Sequence, residues 1–76
     1  MIEELASVVL TADLPERGLR AGDIGTVVMV HQQGAGYTVE FQTLGGETVA
    51  VVTVPADGVR PVRSNEIAHV RGLAIA

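Results

Sequence analysis

Gly18, Gly22 and Gly25 punctuate the stretch GLRAGDIGTVVMV and lead into a β-branched run. Closely spaced glycines can let backbone N–H groups converge on a phosphate. That chemistry needs the glycines to open a helix, usually with a lysine and a hydroxyl beside them. Here they open onto Ile24-Gly25-Thr26-Val27-Val28, a strand pattern, and the chain contains no lysine. The other use of such glycines is structural: Gly22-Asp23 turns the chain tightly, and Gly25 suits a bulge or a close strand crossing. The sequence favours the corner over the cradle, and Gly34-Ala35-Gly36 is a weaker case of the same kind.

Other chemistries have less to work with. His31 and His69 could meet in space and recruit Glu40 or Glu47 around a metal, but their spacing follows no ligand pattern. Ser7 lies among valines and Ser64 follows an arginine; neither sits in a nucleophile turn. Asp13, Glu16 and Asp23 share one polar stretch and read as a solvated edge. No catalytic, cofactor-binding or metal-binding residue is therefore assigned, and the chain is expected not to be an enzyme.

The five basic residues are all arginine: Arg17, Arg20, Arg60, Arg63 and Arg71. Arginine presents a planar fork of donors suited to carboxylates, phosphates and interfaces. Arg17 and Arg20 lie in one loop, where they could supply polar specificity to a contact. Arg60 and Arg63 are the residues an RNA-binding module would use. Basic patches on nucleic-acid binders normally interleave with aromatics and outnumber nearby acids. This chain has one Tyr, one Phe, nine acids and a net charge of −4. Nucleic acid is disfavoured, and a protein partner, including a basic one, is compatible with the charge.

The elements that position these residues are strands. LASVVLT (residues 5–11) is a first strand, followed by the polar loop ADLPERGLRAGD with Pro15 and two glycines as breakers. IGTVVMVHQ (24–32) is a second. QGAG turns the chain into YTVEFQT (37–43), where Tyr37, Val39 and Phe41 alternate with polar residues. LGGE predicts a hairpin, because both glycines can take positive φ. TVAVVTV (48–54) is a fourth strand, PADG a turn or a single 3₁₀ turn, and VRPVR (59–63) a short edge strand marked by Pro61. SNEIAHVR reads equally as a helical turn capped by Ser64 or Asn65 or as an extended piece. The expected fold is all-β: a small five-stranded SH3-like barrel, with or without a short C-terminal helical turn.

Gly22-Asp23-Ile24-Gly25-Thr26-Val27-Val28 resembles the glycine-aspartate turn and GTVV-like strand of KOW-type domains. More of the chain resembles a family of short bacterial proteins known as domain of unknown function 4926. The residues that carry this are VVLTADLPERGLRAGDIGTVV, YTVEF, GETVAVVTVPADGVRPV and EIAHVR, from about Ser7 to Arg71. The resemblance implies a fold and a bacterial origin, and no activity. The resemblance also implies small toxin-like or nuclease-like gene neighbours, and with them the expectation of an antitoxin or accessory role.

The last signal is an excess of apolar surface. Uninterrupted alternation sets Ile24, Thr26, Val28 and Val30 on one face of the second strand, and Gly25, Val27, Met29 and His31 on the other. In the fourth strand Ala50, Val52 and Val54 oppose Val49, Val51 and Thr53. Both sides are apolar, whereas a solvated antiparallel sheet turns polar outward. Either the long loop or the C-terminal residues Ile67, Val70, Leu73 and Ile75 cover the second face, or it meets a partner. A domain of 76 residues without cysteine has a small core and gains from either. The expectation is a single domain over residues 1–76, with residues 72–76 disordered or packed at an interface. It is expected to be a cytoplasmic, non-enzymatic protein-binding module without cofactor or membrane segment. It would act as a homo-oligomer or as the acidic partner of another protein. Val27, Met29, Val49 and Val51 are its expected apolar contact, with Arg17 and Arg20 beside them. The alternative is a KOW-like RNA- or ribosome-associated module using Arg60 and Arg63.

Overall fold

A computed structural model describes residues 1–73. Five strands, β1 (Ser7–Leu10), β2 (Ile24–His31), β3 (Gly36–Gln42), β4 (Thr48–Pro55) and β5 (Val59–Pro61), form one antiparallel sheet in the order β4-β3-β2-β1-β5. The fold is all-β, as the valine-rich alternation requires. The sheet is open, its two edges being β4 and β5, which a single 3₁₀ turn at Ala56–Gly58 connects. No helix among the described residues is long and apolar enough to cross a membrane.

Tyr37, Val39 and Phe41 all point into the core, where they meet Val8, Leu10, Val27, Val52 and Val54. No polar or charged residue is buried among the described residues. The strand boundaries differ from the sequence expectation by one or two residues at most ends. The LGGE hairpin forms as expected: Gly46 closes its turn by donating its N–H to the Thr43 carbonyl, and of the two glycines it alone has positive φ. That is the left-handed residue which follows such a turn in longer hairpin loops.

The consequential difference lies in β2. Val27 pairs with Val39 and Met29 with Thr38, so Val28 has no partner and forms a bulge. A bulge resets which side chains face inward. Before it Gly25 and Val27 point into the core; beyond it Val30 does, packed partly buried against the same cluster. Val27 is 0% exposed and Met29 51% exposed, so they lie on opposite sides of the sheet. This corrects the expectation that Val27 shares an outer apolar face with Met29. A second bulge leaves Val49 unpaired in β4, because Gln42 opposes Thr48 while Phe41 opposes Ala50.

The loop between β1 and β2 is more than a polar connection. Leu14 and Leu19 exchange backbone hydrogen bonds around the 3₁₀ turn Pro15–Arg17, and Leu19 is buried in the core. Two of its acids hold the backbone: Asp13 Oδ1 accepts from Ala21 N–H at 2.9 Å, and Asp23 Oδ2 from Arg20 N–H at 2.8 Å. They are ties within the loop rather than a solvated edge.

Beyond β5 the chain makes a turn at residues 64–65 and then runs to residue 73 without regular structure, neither helix nor strand. Ile67 and Val70 are strongly exposed and Leu73 partly so, so the expectation that these residues blanket a sheet face is not met by them. Ile75, and most of the expected 72–76 tail, lie outside the described residues.

Candidate functional site

Alternation along β4 turns Val51 and Thr53 outward while Ala50, Val52 and Val54 fill the core. Besides Ile24 at the head of β2, Val28, Met29 and Val51 are the exposed apolar residues on the outer side of β2 and β4, and Val51 is 47% exposed. Between them runs a polar row, with Thr38 Oγ1 2.6 Å from His31 Nε2 and 2.8 Å from Thr53 Oγ1. Beside that row the Thr48 hydroxyl donates to Glu40 Oε2 at 2.6 Å. His31 and Glu40 are thus engaged with neutral hydroxyls. Among the described residues no three metal-capable side chains gather.

The long loop folds back along β4. Arg17 Nη2 donates to the Val51 carbonyl at 3.1 Å, which shows that this carbonyl points away from β3 towards the free edge. Arg17, Arg20 and Val49 line one cleft of about 790 Å³. A second cleft, of about 660 Å³, lies between Ile24, Phe41, Leu44 and residues 68–73. The two share Leu19, Val49 and residues 71–73, so the C-terminal segment forms the wall between them. Of the six residues expected at a contact, the fold brings Arg17, Arg20 and Val49 around one cleft, and Arg17 to the carbonyl of the outward-facing Val51. Met29 stands two strands away, and Val27 is inside.

The C-terminal wall is held by a clamp that the sequence does not reveal. Arg71 Nε donates to Asp23 Oδ1 at 2.8 Å, Nη2 bonds the second carboxylate oxygen, and Nη2 also reaches the Gly18 carbonyl at 3.1 Å. The hydrogen bonds from Arg71 hold the Asp23 carboxyl below its ordinary range, against the opposing effect of burial. A carboxylate depressed in this way contributes its stability above its unfolded pKa and loses it as pH falls through the folded one. Two treatments should therefore free residues 68–73: acidification below the ordinary carboxylate range, and Arg71→Ala at neutral pH. The check is limited proteolysis, which should cut this segment faster in the variant while the sheet's melting temperature changes little, since the pair lies outside the sheet's core and is partly open to solvent.

The arginines of the RNA alternative are differently placed. Arg60 donates through both terminal nitrogens to the Glu66 carboxylate, at 2.9 and 2.6 Å, and Arg63 N–H donates to the same group at 2.7 Å. These contacts, Arg60 first, hold the Glu66 carboxyl down at about 2. Arg60 is thereby committed to an acid of its own chain.

No curated protein and no solved structure matches the chain. A family model does match, over residues 4–61, which span all five strands and the loop and end with β5; EIAHVR, and Arg71 at its end, fall beyond it. The five strands that carry the outer face and the β4 edge are thus the matched part, and the chain belongs to the family designated domain of unknown function 4926.

Proposed function

We propose that this chain is a non-enzymatic protein-binding module, built as an SH3-like small barrel, whose contact surface is the β4 edge with the outer face beside it. One observation carries the reading. Met29 and Val51 stay exposed on a sheet face where alternation should place polar residues, and no described segment covers them. Arg17 and Arg20 supply polar contacts at the neighbouring cleft, and Val49 forms its half-buried floor. A cytoplasmic setting and an antitoxin-like or accessory role belong to the same proposal. The pairing of Arg60 with Glu66 and the net charge of −4 favour a protein over an RNA partner.

The test is affinity capture from the native host with the wild-type chain and with the double variant Met29→Thr, Val51→Thr. Both changes sit at exposed positions in strands that accept threonine, so the fold should hold within about 1 kcal/mol. A protein retained by the wild type and lost by the variant, a further copy of the chain included, is the expected result. A chain that stays monomeric in light scattering and retains no protein overturns the reading. Retention of RNA instead, lost on neutralising Arg60 and Arg63, would establish the rival class.

A further inference from the structure

We propose that the partner at the β4 edge is a second copy of this chain, paired strand to strand about a two-fold axis. The proposal rests on the protein-binding reading of Val51 and names its occupant. It begins with backbone chemistry. The Val51 carbonyl points away from β3, and its only side-chain partner among the described residues is the exposed Arg17. In an antiparallel ladder the N–H of the same residue points the same way, as do those of Thr53 two residues on. Among the described residues no backbone hydrogen bond outside the β3–β4 ladder satisfies these groups. An unpaired row of donors and acceptors is a template for another strand.

The sequence of β4 suits its own copy. Residues 48–55, TVAVVTVP, carry no charge, so an antiparallel pairing with themselves sets no like charges opposite one another. With the axis at Val52, Ala50 opposes Val54, Val52 opposes its own copy and Val51 opposes Thr53; with the axis at Val51, Ala50 opposes Val52 and Val51 its own copy, while Val54 and Thr53 oppose Thr48 and Val49. Of the devices that usually protect an edge, β4 has only the bulge at Val49 and the single Arg17 contact: it is eight residues long, carries no charged residue, and meets its first proline at Pro55. Arg17 gives up one solvent-exposed bond when a strand arrives.

The opposite edge determines the kind of assembly. β5 has three residues and contains Pro61, which withholds a donor. With only one edge able to pair, the assembly closes as a two-fold dimer and does not run on into a filament.

Because the chain has no cysteine, single cysteines report the geometry directly. Val51→Cys, Thr53→Cys and an equal mixture of the two cover axes through Val51, Thr53 and Val52, since directly opposed residues lie about 5.5 Å apart between Cα atoms, within disulfide reach. Leu44→Cys serves as the control, at a position far more exposed and away from the edge. Light scattering of the wild-type chain should give a dimer. Mild oxidation should cross-link one of the three β4 samples at least about tenfold faster than the control, in line with intramolecular proximity. A wild-type monomer, or cross-linking in all three no faster than at Leu44→Cys, overturns the proposal. A monomer that still captures another protein through Met29 and Val51 overturns only the second copy; a monomer that captures nothing overturns the protein-binding reading as well.

Discussion

Replacing Val27 with aspartate is expected to abolish cooperative folding, while the same replacement two residues on, at Met29, leaves the domain folded. Val27 is fully enclosed, opposite Val39, in a core that holds no buried polar side chain among the described residues. A carboxyl group placed there finds no hydrogen-bond partner. Even in its neutral form it costs a few kcal/mol to desolvate, roughly 2–7 depending on the reference, and the lost valine burial adds about 1.5–3. A domain of this length has a total stability on the order of 4–11 kcal/mol. The single change therefore removes most or all of it. Burial raises the folded pKa of the new carboxyl above its unfolded value of about 3.9, so the deficit grows as pH rises through that value and is smallest in acid. Met29→Asp adds a charge at a half-exposed position opposite Thr38 and should cost no more than about 1 kcal/mol. Thermal unfolding followed by circular dichroism separates the two; similar melting curves for both variants would show that the bulge at Val28 does not direct these side chains as described.

That contrast marks where the sequence is legible and where it is not. In β3 the alternation Tyr37, Val39, Phe41 belongs to one strand and identifies the inward face without knowledge of its neighbours. In β2 the run Thr26 to Val30 is apolar enough on both sides to fit either face. Its phase is set by Val28 having no partner in β3, and a bulge is a mismatch between two strands, not a property of either. The same holds for Val49 in β4. The excess apolar surface was therefore visible in the sequence, while its members were half misassigned: Met29 and Val51 are outside, Val49 is partly covered, Val27 is inside.

The long loop and the C-terminal clamp escaped for a different reason. Leu14 and Leu19 bracket Pro15-Glu16-Arg17-Gly18, and their pairing carries a local signal, two leucines flanking a turn, that the polar surroundings masked. Arg71 and Asp23 are separated by 48 positions, and no periodicity connects them. Asp23 already looked sufficient as a turn residue, which it also is. Apolar residues of the C-terminal segment suggested a cover for the sheet. In fact the segment is fastened by its arginine while Ile67, at 96% the most exposed of its apolar side chains among the described residues, faces solvent. A polar clamp leaves the outer face of β2 and β4 open, and on that opening the functional proposal stands.

The second large effect is expected at Gly25, and it explains the glycine that a phosphate-binding stretch would use differently. Gly18 and Gly22 have positive φ and open space where a Cβ would stand, so both serve the path of the chain. Gly25 has ordinary strand geometry and no such space: a Cβ there would lie 2.6 Å from Val39 Cγ1, 2.9 Å from Phe41 Cε1 and 3.0 Å from the Glu40 carbonyl oxygen. Val39 and Phe41 are buried and the third neighbour is backbone, so none can step aside cheaply. Gly25→Ala should cost about 1–3 kcal/mol through overpacking, outweighing the modest gain from removing a glycine from a strand, and Gly25→Val more. The stringent version is a double-mutant cycle. Val39→Ala alone leaves a cavity beneath Gly25, which the new methyl of Gly25→Ala partly fills. The double variant should then be more stable than the sum of the single losses, by about 0.5–3 kcal/mol for residues in contact. Simple additivity in chemical denaturation would mean that β2 enters the sheet with room to spare. The close approach of β2 to Val39 and Phe41 would then not be what selects glycine at the head of the strand.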